Sequence, residues 1–132
     1  MKNKKRMIMI SILTIAIIFA AMKFVPLLRY RVAINEIIIE NVDVSELKDG
    51  IYRGRKEAVW VAAEVEVIIK NHRIEDIKLL EHQYGREQAK EAEVVIDRVL
   101  KEQRLDVDIV SGSTSSSKVI LEAVETALLK IQ

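Results

Sequence analysis

The sequence contains no cysteine. That absence removes disulfides, thiolate metal sites, iron–sulfur clusters and cysteine nucleophiles, so any redox chemistry has to be carried by a bound guest. Aromatic residues are scarce, with one Trp, three Tyr and two Phe, which leaves few flat surfaces for a planar ligand. Acidic residues are missing altogether from the first 28 positions, which hold five of the 21 basic residues; the remainder sets 16 basic against all 20 acidic residues, a net of about −4. Basic and acidic residues alternate there, without a basic face or aromatic platforms, and this argues against nucleic acid as a partner. His72 and His82 stand ten residues apart and do not chelate a metal without carboxylate help. Carboxylate pairs such as Glu64 with Glu66, or Glu91 with Glu93, fall on solvated faces, so no acid–base pair is read from them.

What the chain does have begins with an anchor. Lys2, Lys4, Lys5 and Arg6 precede an uncharged run from Met7 to Met22, and after Lys23 the apolar character resumes as far as Leu28. The run alone makes a helix of about 24 Å, and the extension to Leu28 one of about 33 Å, against a bilayer core of about 30 Å. Lys23 then snorkels near the outer interface, and the basic leader places the N-terminus in the cytoplasm and everything after Arg29 outside. A cleaved signal peptide shares the basic leader and apolar run, but no clean small-x-small site follows. The expected division is a signal anchor and transmembrane helix over 1–28, a connector over 29–48 and one folded domain over 49–132, in the cell membrane with a single pass.

Asp49-Gly50-Ile51-Tyr52-Arg53-Gly54 reads as a turn leading into a strand. Val59 to Ile69 alternates, with Val61, Ala63, Val65, Val67 and Ile69 on one side, and predicts a half-buried strand. Asn71-His72 is a tight turn, and Arg73 to Leu80 returns as a second strand whose Ile77 and Leu79 join the same core. The spacing of Ala89, Ala92, Val95, Ile96, Val99 and Leu100 predicts a helix over Arg86 to Arg104. Leu105, Val107 and Ile109 alternate with Asp106 and Asp108 as a further strand, and a second helical stripe runs from Val119 to Ile131. The fold class is α+β: an N-terminal transmembrane helix, then a small, largely antiparallel sheet packed with two helices.

Between that last strand and helix lies Asp108-Ile-Val-Ser-Gly-Ser-Thr-Ser-Ser-Ser-Lys118, a turn of small hydroxyl residues around one glycine. Such a turn suits a phosphate, because the first N–H groups of a helix lack partners and carry the positive end of its dipole. Gly112 lets the backbone approach closely, and the hydroxyls of Ser111, Thr114 and Ser116 can donate to phosphate oxygens.

This stretch resembles the signature of the FMN-binding domain family: an Asp, two variable residues, Ser-Gly-Ala, a Ser or Thr, any residue and a final Thr. In that likeness Asp108, Ser111 and Gly112 fall in place, Ser113 stands for the Ala, Thr114 is the middle hydroxyl and Ser116 stands for the final Thr. The upstream Asp49-Gly50-x-Tyr52-x-Gly54 also resembles the way this family's domain opens. The resemblance implies an FMN cofactor joined through its phosphate to Ser116 by a flavin transferase. Asp108 and the Ser111-Gly112 turn would present the acceptor, and Thr114 would border the phosphate. It further implies an electron carrier with redox partner proteins rather than an enzyme with its own substrate, similar to the peripheral flavin subunits of the Rnf and sodium-pumping NADH:quinone reductase complexes. Glu81 to Gly85 ends the hairpin and is expected to face the same cleft as the hydroxyl turn, and Tyr84, Tyr52 and Trp60 are the aromatic candidates for stacking on the flavin. Two other readings stand beside this one. The turn could be a polar helix cap in a membrane-tethered interaction or sensing module without flavin, and Ser115-x-x-Lys118 matches a serine acyl-enzyme motif in a chain too short for that fold.

Overall fold

The computed structural model describes residues 1–83 and 87–129. Helix α1 (Lys2–Asn35) is continuous for 34 residues, so the connector expected from position 29 starts as the same helix. It is long and apolar enough to cross a membrane, and its most apolar stretch has no residue buried against the rest of the chain. From Ile34 the chain joins the folded domain. Ile34, Ile37 and Leu47 are buried in its core, and a short 3-10 turn (Val44–Glu46) is capped by Asp43, whose carboxylate accepts the Ser45 N–H at 2.9 Å.

Three antiparallel strands follow in spatial order β1 (Gly50–Ala58), β2 (Val61–Lys70) and β3 (Arg73–Gln83). The alternation of β2 has the predicted phase: Val61, Ala63, Val65, Val67 and Ile69 are all buried. On the other face Arg53 reaches Glu66 at 2.8 Å and Arg55 reaches Glu64 at 3.4 Å and Glu81 at 2.5 Å, so the carboxylates of the open face sit in cross-strand ion pairs. The β2–β3 turn holds both Asn71 and His72 at positive φ, 50° and 58°, as the right-handed twist of a two-residue hairpin requires. The β1–β2 connection departs from expectation. Val59 and Trp60 do not start a strand but form the hairpin tip, with Ala58 opposite Val61 and the Trp60 N–H donating to the Ala58 carbonyl at 2.7 Å. That tight loop forces Val59 to φ 54°, a conformation that costs a β-branched residue about 1–3 kcal/mol.

A 3-10 segment (Glu87–Glu93), then α2 (Val94–Glu102) and α3 (Thr114–Leu129), cover the buried face. The single helix predicted over 86–104 is thus divided, and the join is pinned where Glu93 meets His82 of β3 at 3.0 Å. Ala92, Val95 and Val99 are buried as their spacing predicts. Residues 105–109 are not a strand. Their alternation holds as far as Asp108, with Leu105 and Val107 buried and Asp106 and Asp108 exposed, but Ile109 is exposed as well, and side chains take the place of a ladder. The Leu105 N–H donates to Asn41 at 3.1 Å, the Asp108 carbonyl accepts from Arg98, and the Val110 N–H donates to the Ser117 hydroxyl at 3.1 Å.

Gln103 closes α2 in the left-handed region at φ 57°, and its amide acts as a one-residue strand on the edge of β3. It accepts from the Ile74 N–H at 2.9 Å while donating to the carbonyls of Ile74 at 2.9 Å and Leu100 at 2.8 Å. Truncation to Ala leaves those backbone groups unpaired, two of them on buried Ile74, and we expect Gln103→Ala to cost about 1–3 kcal/mol in urea unfolding of the full chain in detergent. Gln103→Glu, which keeps one acceptor and loses the donors, should fall between the two.

Candidate functional site

The hydroxyl turn is built from its two ends. Upstream, Arg98 of α2 holds the Asp108 carbonyl. Downstream, the Ser117 hydroxyl accepts from Val110 and donates to the Ser113 carbonyl at 2.9 Å, so one buried side chain ties the entry of the turn to the first turn of α3. The Ser113 N–H donates to the Val110 carbonyl at 3.0 Å, and Gly112 sits at φ 82°. A Val110-to-Ser113 turn with positive φ at its third residue is a type II turn, which explains the glycine at that position. Nothing lies within 4 Å of where a Gly112 Cβ would stand, so backbone conformation rather than crowding excludes other residues.

The predicted site residues separate into two sets. Asp108, Ser111, Gly112 and Thr114 are exposed, while Ser113 and Ser116 are buried. Ser113 precedes the helix and its carbonyl accepts the first helical bond, from the Ser117 N–H at 2.9 Å. A residue as small as Ala or Ser fits that buried position. Ser116 is 2 % exposed, with its hydroxyl on the core side of α3. Tyr84 lies outside the described residues. Of the other aromatics, Tyr52 folds back over Gly50 and donates to the Lys48 carbonyl at 2.5 Å, and Trp60 packs on Tyr30 of α1 with ring centroids 5.0 Å apart.

Two contributors, Ser117 and Arg98, were not legible as site residues in the sequence, and Lys118 was legible only as part of Ser115-x-x-Lys118. Ser117 carried a signal, a hydroxyl four residues after Ser113 that can bond back to its carbonyl, but two neighbouring serines obscured it. Lys118 donates to the carbonyls of Ile34 at 3.2 Å and Ile37 at 3.3 Å, holding the first turns of α3 against the end of α1. With its ammonium engaged there, Ser115-x-x-Lys118 offers no free base, and the acyl-enzyme reading loses its key group. An open cleft of about 460 Å³ lies between β3 and α2, lined by Ile77, Leu79, Lys90, Glu93, Val94 and Asp97, and none of the hydroxyl-turn residues lines it.

Farther along α3, Glu125 is buried and accepts the Glu40 N–H at 3.3 Å. Burial raises its carboxyl above the ordinary value, the Glu40 N–H pulls the other way, and the charges of Glu122 and Glu40 add to the rise. A folded-state pKa above the unfolded one means that the native protein binds more protons between the two values. Its stability contribution is greatest at or below the unfolded value near 4.5 and declines as pH rises through the folded value. Glu125→Gln keeps an acceptor for Glu40 and removes the titration. The variant should be at least as stable as the parent at neutral pH, with a shallower decline in melting temperature above about pH 4.5; a steeper decline would contradict the assignment.

At the start of α3 the arrangement fits a phosphate ester. The N–H groups of the first helical turn have no intrahelical partners, a glycine lets the backbone approach, and Ser111 and Thr114 present hydroxyls to the outside. A comparison with curated proteins finds none that matches. The model of the FMN-binding domain matches residues 59–129, which is more than half of the chain and includes the whole hydroxyl turn, though not the opening Asp49-to-Gly54 motif. The chain belongs to the FMN-binding domain family, and FMN is its cofactor.

Proposed function

We propose that this protein is a membrane-anchored, extracytoplasmic flavoprotein that carries FMN covalently on its hydroxyl turn and passes electrons between partner proteins. The observation that carries the reading is the join of an FMN-binding domain to a helix long and apolar enough to cross a bilayer. The basic leader at Lys2, Lys4, Lys5 and Arg6 supports a cytoplasmic N-terminus and hence an outward-facing domain. A tether has a plain use there, since free FMN would diffuse away.

Burial bears on which hydroxyl takes the phosphate. The family likeness places the link on Ser116, but a transferase acts from outside, and a side chain 2 % exposed on the core side of a helix is not presented to it. Thr114, exposed at the first helical position, is the acceptor we favour. The bond formed is between its Oγ1 and the FMN-side phosphorus of a flavin dinucleotide held by the transferase; the phosphoanhydride bond breaks, the nucleoside monophosphate leaves, and the hydroxyl proton goes to a base on the transferase, so the chain gains FMN less one water. Ser111 and the N–H groups of the first turn of α3 then hold the phosphate oxygens, and Ser117 keeps the turn in shape. The flavin supplies the redox chemistry, one or two electrons at a time, and the protein supplies attachment and orientation.

The test is to co-express the full chain with a flavin transferase and record intact mass, in-gel fluorescence after denaturation, and the visible spectrum before and after reduction. The reading expects the mass of FMN less one water, fluorescence that survives denaturation, and a flavin spectrum that bleaches on reduction and returns in air. Bare mass on a yellow native protein would remove the covalent bond from the account. A colourless chain, even with FMN added, would remove the electron-carrier function.

A further inference from the structure

We propose that the β1–β2 hairpin tip, Val59 and Trp60, is an interfacial membrane contact that seats the folded domain on the bilayer its helix crosses. This inference rests on the reading of α1 as a membrane span. The apolar run of α1 ends at Leu28, and Arg29 and Arg31 flank Tyr30 just beyond it. Tyr30 is two residues past Leu28, about 3 Å along the helix, which is the level of the lipid headgroups. Trp60 packs on that tyrosine at 5.0 Å between ring centroids, with the planes tilted by 38°. The hairpin tip therefore stands at the same height as the point where α1 leaves the apolar layer.

Trp60 remains 43 % exposed and Val59 46 % exposed, so neither is spent on the protein core. Trp and Tyr are the residues enriched at membrane interfaces, where one end of the ring meets apolar chains and the other meets water. Val59 adds an independent argument. A two-residue hairpin loop with φ of 54° at its first position is best served by Gly, Asn or Asp, yet a β-branched apolar residue stands there with its side chain outside the core. A local rule broken at an exposed position marks a site chosen for something other than folding, and a lipid surface accounts for an apolar side chain in that place. Continuity with α1 selects the bilayer over another protein as the occupant.

The contact order along α3 gives this docking a consequence. Ala127 and Ala123 meet Gly54, Glu122 meets Lys56 nearer the hairpin tip, and Lys118 reaches the end of α1. The helix thus runs antiparallel to β1, and its first turn, with the hydroxyls, lies at the membrane end of the domain. Seating the tip on the lipid fixes that end beside the bilayer surface, within reach of a membrane-embedded redox partner.

Trp60 is the sole tryptophan, so its emission reports the tip alone. The experiment uses the FMN-free full chain in phosphatidylcholine nanodiscs, with nitroxide placed either on the headgroup or at the end of the acyl chain. We expect roughly a halving of Trp60 emission with headgroup nitroxide and much less quenching from the deep position, as for an interfacial ring. Emission that stays at long wavelength and unquenched, with the chain still co-eluting with the discs, means the tip is in water and overturns the docking while leaving the anchor intact. A blue-shifted but unquenched signal means that a second copy covers the tip, and it overturns the docking too. A chain that fails to co-elute with the discs overturns the membrane-span reading itself, and the docking with it.

Discussion

Gly54→Ala should lose at least about 3 kcal/mol of stability, a large share of the 5–15 kcal/mol that holds a domain of this kind together. A Cβ at this position would stand 2.0 Å from the carbonyl oxygen of Ala123, 2.5 Å from the amide nitrogen of Ala127 and 2.9 Å from its Cα. All three are backbone atoms of α3, so no rotamer change relieves the clash and the whole helix has to lift off the sheet. That helix carries Val119, Ile120, Val124 and Leu128, each fully buried, and burial of one such side chain contributes about 1.5–3 kcal/mol. Urea unfolding of the full chain in detergent, followed through Trp60 emission, reads the loss directly. Gly50→Ala is the internal control. Its added Cβ meets only the flexible ring of Tyr52 at 3.4 Å, and its midpoint should shift far less. A parental midpoint for Gly54→Ala would contradict the close helix-to-strand contact.

Covalent flavin should disappear completely in Thr114→Ala and survive in Ser116→Ala. The two hydroxyls are two residues apart, yet they differ in what can reach them, because helical geometry turns Thr114 outward and Ser116 into the core. Thr114→Ser should keep the attachment, since it keeps the hydroxyl and loses only the methyl that restricts its rotamer. Gly112→Ala should impair attachment without abolishing it, because a Cβ has open space around it but the backbone is held at φ 82°, where an L side chain is strained. Intact mass of each variant after co-expression with the transferase separates these four outcomes. Loss of flavin in Ser116→Ala, with unfolding curves unchanged, would restore the position that the family likeness gave.

The period-2 pattern of Val61 to Ile69 predicted both the strand and its buried face, because a sheet covered on one side leaves no choice of phase. The hydroxyl turn was legible from its glycine and small polar residues, which serve a tight turn before a helix whatever the surrounding fold. Residues 105–109 misled, because alternation reports burial and not backbone pairing, and here Asn41, Arg98 and Ser117 supply the partners that a neighbouring strand would have supplied. Val59 misled in the same way: its apolar character suits a strand, and only the register of Ala58 against Val61 shows that it forms the turn. The difference between Thr114 and Ser116 was hidden for another reason. Which face of α3 lies on the sheet depends on Gly54, sixty residues upstream of the hydroxyl turn, and no local pattern records that contact.

The measurement that bears most directly on the central claim is peptide-level mass spectrometry of the full chain after co-expression with a flavin transferase, with fragmentation that localises the modification. FMN less one water on Thr114 is the predicted result, and it would place the flavin at the first turn of α3, at the end of the domain nearest the membrane. FMN localised to Ser116 would mean that the start of α3 opens during transfer, contradicting the burial argument, and an unmodified Asp108-to-Lys118 peptide would contradict covalent attachment at the hydroxyl turn altogether.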